Sequence, residues 1–219
     1  MSSMSHVRRT AHTLRGREVT AIIDYDAGNI RSVEKAIKSL GGNPVITRDP
    51  DIIRKADNVI LPGVGAFGDA MKRLENYGLI QVIKEVIRDG RPFLGICLGE
   101  QLLFEESEES PGVKGLSILK GKVRKFQPNP ELKVPNIGWN SVDILKAGKL
   151  FKGVPQGSFL YFVHSYYVEA EDPDIVSAVI DYGCRAHIAI ENGNVFATQF
   201  HPEKSSDTGM KVLSNFLSI

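Results

Sequence analysis

The chain has 219 residues, with 27 Lys plus Arg against 26 Asp plus Glu and a formal net charge of +1. That length favours one domain with a substantial core, and the even charge balance excludes a bulk electrostatic pull toward nucleic acid. Hydrophobic residues at 42% and charged residues at 24% are an ordinary globular composition. No apolar run is long enough for a membrane span, and two cysteines without a CxxC pair argue against a cysteine zinc site or a dithiol redox motif.

Residues 1–18 carry Arg8, Arg9, Arg15 and Arg17 against one acid, Glu18, and have no apolar core. They read as a disordered N-terminal extension, with an organelle transit peptide as the alternative and a secretory signal excluded. Nothing else suggests secretion, so Cys97 and Cys184 fit a reducing cytoplasm. Residues 19–24 then read as a short buried strand. Residues 29–40 have helical spacing, with Ile30, Val33, Ile37 and Leu40 on one face and Gly41-Gly42 as the stop. Strands follow at 45–47, at 58–61 with Pro62 ending it, and at 92–96. Helices are expected at 67–76, 79–88 and 98–106. Alternation of this kind implies βαβ units and a mostly parallel sheet flanked by helices.

The order changes after about residue 115. Segments 117–126, 138–144, 158–170 and 175–182 are strand-like without helices between them. Residues 187–191 and 195–200 flank Asn192-Gly193, a hairpin turn signal. A last helix is expected over 206–217. The C-terminal half therefore adds antiparallel strands to the sheet, and residues 19–219 form one α/β domain.

Three features carry chemistry. Gly95-Ile96-Cys97-Leu98-Gly99 places a cysteine where an apolar strand turns into a helix, the cysteine form of the Gly-x-Ser-x-Gly nucleophile elbow. The helix start favours a thiolate, and the Leu98 N–H there is available to an oxyanion. The second feature is Phe200-His201-Pro202-Glu203 at the end of a strand. Pro202 biases His201 toward extended backbone, and residues i and i+2 then point the same way, so Glu203 can orient the His201 imidazole. His164 is the second candidate base, ranked as a wall of the site. Cys184 lacks any such context and reads as structural.

The third feature is Gly63-Val64-Gly65-Ala66-Phe67-Gly68, which matches Gly-x-Gly-x-x-Gly. A dinucleotide fingerprint is disfavoured because the match follows the third strand rather than the first. Close backbone approach to a substrate is preferred, with an N–H from residues 63–65, Val64 or Gly65, completing an oxyanion hole opposite Leu98. The run Glu105-Glu106-Ser107-Glu108-Glu109 reads as a solvated helix end and loop. The only tryptophan, Trp139, fits a core or an interface equally.

Together the elbow, Gln101-Leu102-Leu103 after it and His201-Pro202-Glu203 resemble the class I (triad) glutamine amidotransferases. Residues 24–33, 62–68, Gly138-Trp139-Asn140 and 162–166 are similar, more narrowly, to the glutaminase subunits of imidazole glycerol phosphate synthases. The likeness covers about residue 19 to the C-terminus. It implies a class I glutamine amidotransferase-like α/β fold and a Cys97–His201–Glu203 triad that releases ammonia from glutamine. It also implies an oxyanion hole at Leu98, Val64 and Gly65, and glutamine held by Gly63, Gly65, Gln101, Ser165 and Tyr166. The implied partner is a (β/α)₈ cyclase subunit, forming a heterodimer, with Asn29 in the 26–31 loop and Trp139 as interface candidates. No cofactor, metal, nucleic acid or membrane is expected. Glu100 departs from the family, which commonly has Met there, and is expected to alter the local field or the mouth of the site. The competing readings are the glutaminase of an anthranilate or guanylate synthase, a stand-alone thiol hydrolase, and a binding module with a vestigial site.

Overall fold

The computed structural model describes residues 18–127 and 132–219. The expected extension over 1–18 therefore lies almost wholly outside the described residues. In chain order the elements are β1 (Val19–Ile23), α1 (Ile30–Ser39), β2 (Asn43–Thr47), α2 (Pro50–Lys55), β3 (Asn58–Gly63), α3 (Phe67–Asn76), α4 (Leu79–Arg88), β4 (Phe93–Cys97) and α5 (Leu98–Leu102). The second half adds β5 (Glu106–Ser107), β6 (Gly121–Lys125), β7 (Asn136–Ser141), β8 (Asp143–Ile144), β9 (Phe159–His164) and β10 (Tyr166–Ala170). It ends with β11 (Val176–Asp181), β12 (Arg185–Asn192), β13 (Val195–Thr198) and α6 (Ser206–Phe216).

An 11-stranded sheet runs in the order β2-β1-β3-β4-β13-β12-β10-β6-β5, with β11 and β8 branching from β12. β1, β2, β3, β4 and β13 pair in parallel. β12, β10 and β6 continue the sheet antiparallel. β7 and β9 form a separate two-stranded antiparallel sheet. Strands β3 and β4 are buried at every position, as expected of a parallel sheet covered on both faces. α1, α3 and α4 each turn an apolar stripe inward: Val33 and Ile37, Phe67 and Leu74, Val82 and Ile83. The parallel strands deliver Gly63, Cys97 and the His201 segment to one end of the sheet, where ligands bind in open α/β sheets.

Several expectations need correction. Pro62 does not end β3, which continues to Gly63 paired with Cys97. The helix expected over 98–106 stops at Leu102, and Glu106–Ser107 become β5 beside β6. The acidic run is accordingly not a solvated helix end. Glu108 accepts from the Lys125 N–H at 2.8 Å, and Glu109 accepts from the Phe67 N–H at 2.7 Å, capping α3. Helix α2 was not anticipated; its start is fixed by Asp49, whose carboxylate accepts from the Asp51 N–H at 2.8 Å ahead of Pro50 at the first position.

Candidate active site

Cys97 sits at the turn from β4 into α5 with φ 56° and ψ −110°, a conformation that costs a non-glycine residue of the order of 1–3 kcal/mol. The flanking glycines make this turn possible. A Cβ on Gly95 would lie 2.6 Å from the Gly99 carbonyl oxygen, and one on Gly99 would collide with the Leu61 carbonyl. The strain lifts the thiol out of the sheet, and Leu98 becomes the first residue of α5, whose N–H has no acceptor within the helix.

His201 follows β13. Its N–H donates to the Tyr161 carbonyl at 3.1 Å, and its own carbonyl accepts from the Ser205 hydroxyl at 2.7 Å. The backbone is extended at φ −96° and ψ 99°, and Glu203 lies in a single 3₁₀ turn over Pro202–Lys204. Nδ1 of His201 donates to Glu203 Oε1 at 2.9 Å. Burial pulls the His201 imidazole down, but the adjacent Cys97 sulfur and Glu203 carboxylate outweigh it and raise it to about 10. Among the described residues, the other Glu203 oxygen, Oε2, has no partner.

Asn29 also reaches this pair. It holds a left-handed backbone (φ 69°) at the start of α1, and its Nδ2 donates to the same Glu203 oxygen at 2.5 Å. Its side chain is thus turned toward the His–Glu pair. The neighbouring Gly28 packs on Val64, where a Cβ would come within 2.9 Å of a Val64 methyl.

A cleft of about 380 Å³ gathers these parts. Cys97, Leu98 and Gln101 come from the elbow, Val64 and Gly65 from the loop after β3, Ser165 and Tyr166 from the β9–β10 turn, and His201 from the end of β13. Gly65 has φ 99°, which suits glycine alone. Gly63 lies behind the cleft wall, over the buried Tyr25 hydroxyl, which has no partner among the described residues. The start of α3 is occupied by the Glu109 carboxylate and the Ser110 hydroxyl, at 2.7 and 3.0 Å from the Phe67 and Gly68 N–H groups, so it offers no phosphate seat.

Trp139 lies apart from the cleft on the outer face of the β7–β9 sheet. His164 is a cleft wall, and burial, reinforced by nearby His201, lowers it to about 4, so it is a neutral imidazole near pH 7. Glu100 is not at the mouth: it is 0% exposed, inside α5, and burial with the neighbouring Cys97 holds its carboxyl well above the usual range. Among the described residues no three His, Cys, Asp or Glu side chains gather as a metal site.

Gln199 was not singled out from sequence. It is fully buried one residue beyond the Thr198–Ile96 pairing of β13 with β4, beside Cys97. The available signal is its i−2 position to His201 on an extended segment, which puts both side chains on one face.

A family model described as "Glutamine amidotransferase class-I" matches residues 21–219. The imidazole glycerol phosphate synthase subunit HisH of Bacillus cereus (strain G9842) is 50% identical over 199 residues, covering 91% of this chain and 94% of that one. The protein of the same name from Moorella thermoacetica is 50% identical over 196 residues, covering 90% and 92%. Among solved structures, a chain of PurLQS from Thermotoga maritima superposes with a TM-score of 0.70 at 19% identity, over 92% of this chain and 98% of that one, a likeness of fold.

Proposed function

The chain belongs to the class-I glutamine amidotransferase family, and from that premise we propose that it is the glutaminase subunit of an imidazole glycerol phosphate synthase, acting in histidine biosynthesis. The observation that carries this reading is one cleft holding a strained elbow cysteine and a His–Glu pair, in a chain half identical to synthase subunits along nine-tenths of its length.

The chemistry follows from the geometry. The Cys97 thiol gives its proton to His201, whose imidazolium is held by Glu203. The thiolate forms a bond to the glutamine side-chain carbonyl carbon, and the C=O electron pair moves onto oxygen. The Leu98 N–H and an N–H of the Val64–Gly65 segment receive that oxyanion. Collapse of the tetrahedral adduct expels ammonia, which takes its proton from His201. Water, deprotonated by His201, then cleaves the thioester and frees glutamate. Gln101, Gly65 and the Ser165–Tyr166 backbone, which line the cleft, hold the substrate, while Gly63, expected among them, stands behind the wall and supports the loop.

The ammonia goes to a (β/α)₈ cyclase subunit in a heterodimer. The surface that supports docking is the outer face of β7–β9, where Ile137, Trp139 and Phe159 are 61%, 49% and 58% exposed. Val163, on the same face, also lines the cleft, so a partner seated there covers its mouth. Among the described residues no helix is long and apolar enough to cross a membrane, and a free catalytic thiol suits a reducing compartment.

The test is glutamate release from glutamine by the purified chain, with and without the cyclase and its substrate. Release that the cyclase stimulates and Cys97→Ala abolishes is expected, with ammonia-dependent synthesis by the complex retained. Cys97-dependent release indifferent to this cyclase would move the chain to another synthase, and no release at all would remove the glutaminase reading.

A further inference from the structure

A chain of buried hydrogen bonds ends at the Cys97 sulfur, and its direction is fixed from the far end. The Tyr166 backbone carbonyl oxygen can only accept. His164 Nδ1 lies 2.8 Å from it and Gln101 Nε2 lies 3.2 Å from it, so both nitrogens are donors there. With Nδ1 protonated and the ring neutral, His164 Nε2 is an acceptor, and Asn136 Nδ2 donates to it at 3.1 Å. The orientation of Gln101 sets the next link. Its Nε2 also donates at 2.9 Å to Gln199, whose facing atom must therefore be Oε1. The remaining Gln199 atom, Nε2, is left 3.6 Å from Cys97 Sγ, within N–H···S range. Turning the Gln199 amide over would set its Nε2 against Gln101 Nε2, donor against donor, in a side chain that is 0% exposed.

We infer that Gln199 is a further catalytic residue of this site: its side-chain amide donates to the Cys97 sulfur and stabilises the thiolate before attack. The inference rests on the reading of Cys97 as the nucleophile. An amide N–H is a donor with no proton to accept, so it favours S⁻ over S–H. The proton itself leaves to His201. Gln199 supplies polarity, and it does so without a second charge near the imidazolium. Its other atom holds Gln101 against the cleft wall, so one side chain joins the nucleophile to a residue proposed to hold glutamine.

The experiment uses the full chain carrying Cys184→Ala, which leaves Cys97 as the only cysteine. The rate of Cys97 alkylation by iodoacetamide is measured at pH 6.5 and at pH 9.5, with and without Gln199→Met. The expected result is a roughly tenfold fall at pH 6.5, the scale of one hydrogen bond to a charged group, with the pH 9.5 rate unchanged within about twofold. A residue that merely fills space alters both rates together or neither, and an unchanged ratio of the two rates overturns the inference. Should Gln199→Met not fold, the unsubstituted protein with ¹⁵N-labelled glutamine gives the second reading. The Gln199 amide protons should shift over the pH range in which alkylation rises, and a resonance that stays fixed counts against the assignment. Neither readout involves glutamine turnover or the partner. An altered ratio with no glutaminase activity would leave this inference standing and remove the proposed reaction; Cys97-dependent turnover with an unaltered ratio would do the reverse.

Discussion

Glu100 has both carboxyl oxygens buried and, among the described residues, without a hydrogen-bond partner. A carboxylate in that position would forfeit its hydration and repel the Cys97 sulfur, so the fold favours the neutral acid and raises the carboxyl well above its usual range. Its folded titration point is raised above the unfolded one. The cost is therefore absent below the unfolded value of about 4.3 and grows as pH rises, because the unfolded chain releases a proton that the folded chain retains. Glu100→Met should raise thermal stability at pH 8 by about 2 kcal/mol, or roughly 6 °C, and much less at pH 4. Melting curves at the two pH values check the sign. Equal gains at both would show that Glu100 is ionised in the fold. His164 behaves in the opposite sense. Its titration point is depressed to about 4, so its contribution is intact above about 6.5 and is lost as pH falls toward 4, a change of up to about 3 kcal/mol. His164→Gln should flatten the acid limb of stability between pH 6.5 and 4, read as the urea midpoint at each pH.

At the scale of elements, the elbow was legible in sequence because the nucleophile candidate and the two glycines its turn requires fall within five consecutive residues. Gly95 and Gly99 are required by backbone atoms within reach of the turn, and the same collisions predict the outcome of substitution. Gly99→Ala drives a methyl group into the Leu61 carbonyl of β3, which cannot move without breaking its pairing with β4. A loss of about 3 kcal/mol or more in denaturant unfolding, together with loss of glutamine hydrolysis, is expected. A stable and active Gly99→Ala protein would mean that β3 and α5 can separate. The amphipathic helices α1, α3 and α4 were equally readable from their 3.6-residue period. α2 was not, because six residues give too few turns for a period and its signal is the Asp49 cap. β5 was hidden by Glu106 and by Glu108 and Glu109 just after it, whose partners, Lys122, Arg124 and the α3 N-terminus, lie away in sequence. The same holds within the site. His201 and Glu203 are two residues apart and were found. Asn29 meets Glu203 across 174 positions and Gln199 meets Cys97 across 102, contacts that only the assembled sheet creates.

At the scale of the whole molecule, the β7–β9 sheet stands off the main sheet with two unlike faces. Its inner face carries Leu160, Phe162 and His164, all buried. Its outer face pairs Ile137 with Val163, Trp139 with Tyr161 and Ser141 with Phe159, and leaves Ile137, Trp139 and Phe159 exposed, which is why it is the face proposed for docking. Trp139 stands against Tyr161 with ring centroids 5.8 Å apart, and Tyr161 in turn holds the His201 N–H. Strand β9 therefore carries part of that face and also accepts from the His201 backbone, so a partner that grips Trp139 bears on the segment that positions His201. Central aromatic anchors commonly account for about 2 kcal/mol or more of an interface. Trp139→Ala should weaken the affinity for the cyclase by about 30-fold by calorimetry, while leaving the melting temperature of the isolated chain and its Cys97 alkylation rate near their original values. An unchanged affinity would move the docking surface off this face, and a loss of alkylation in the isolated chain would show that Trp139 supports the site rather than the partner.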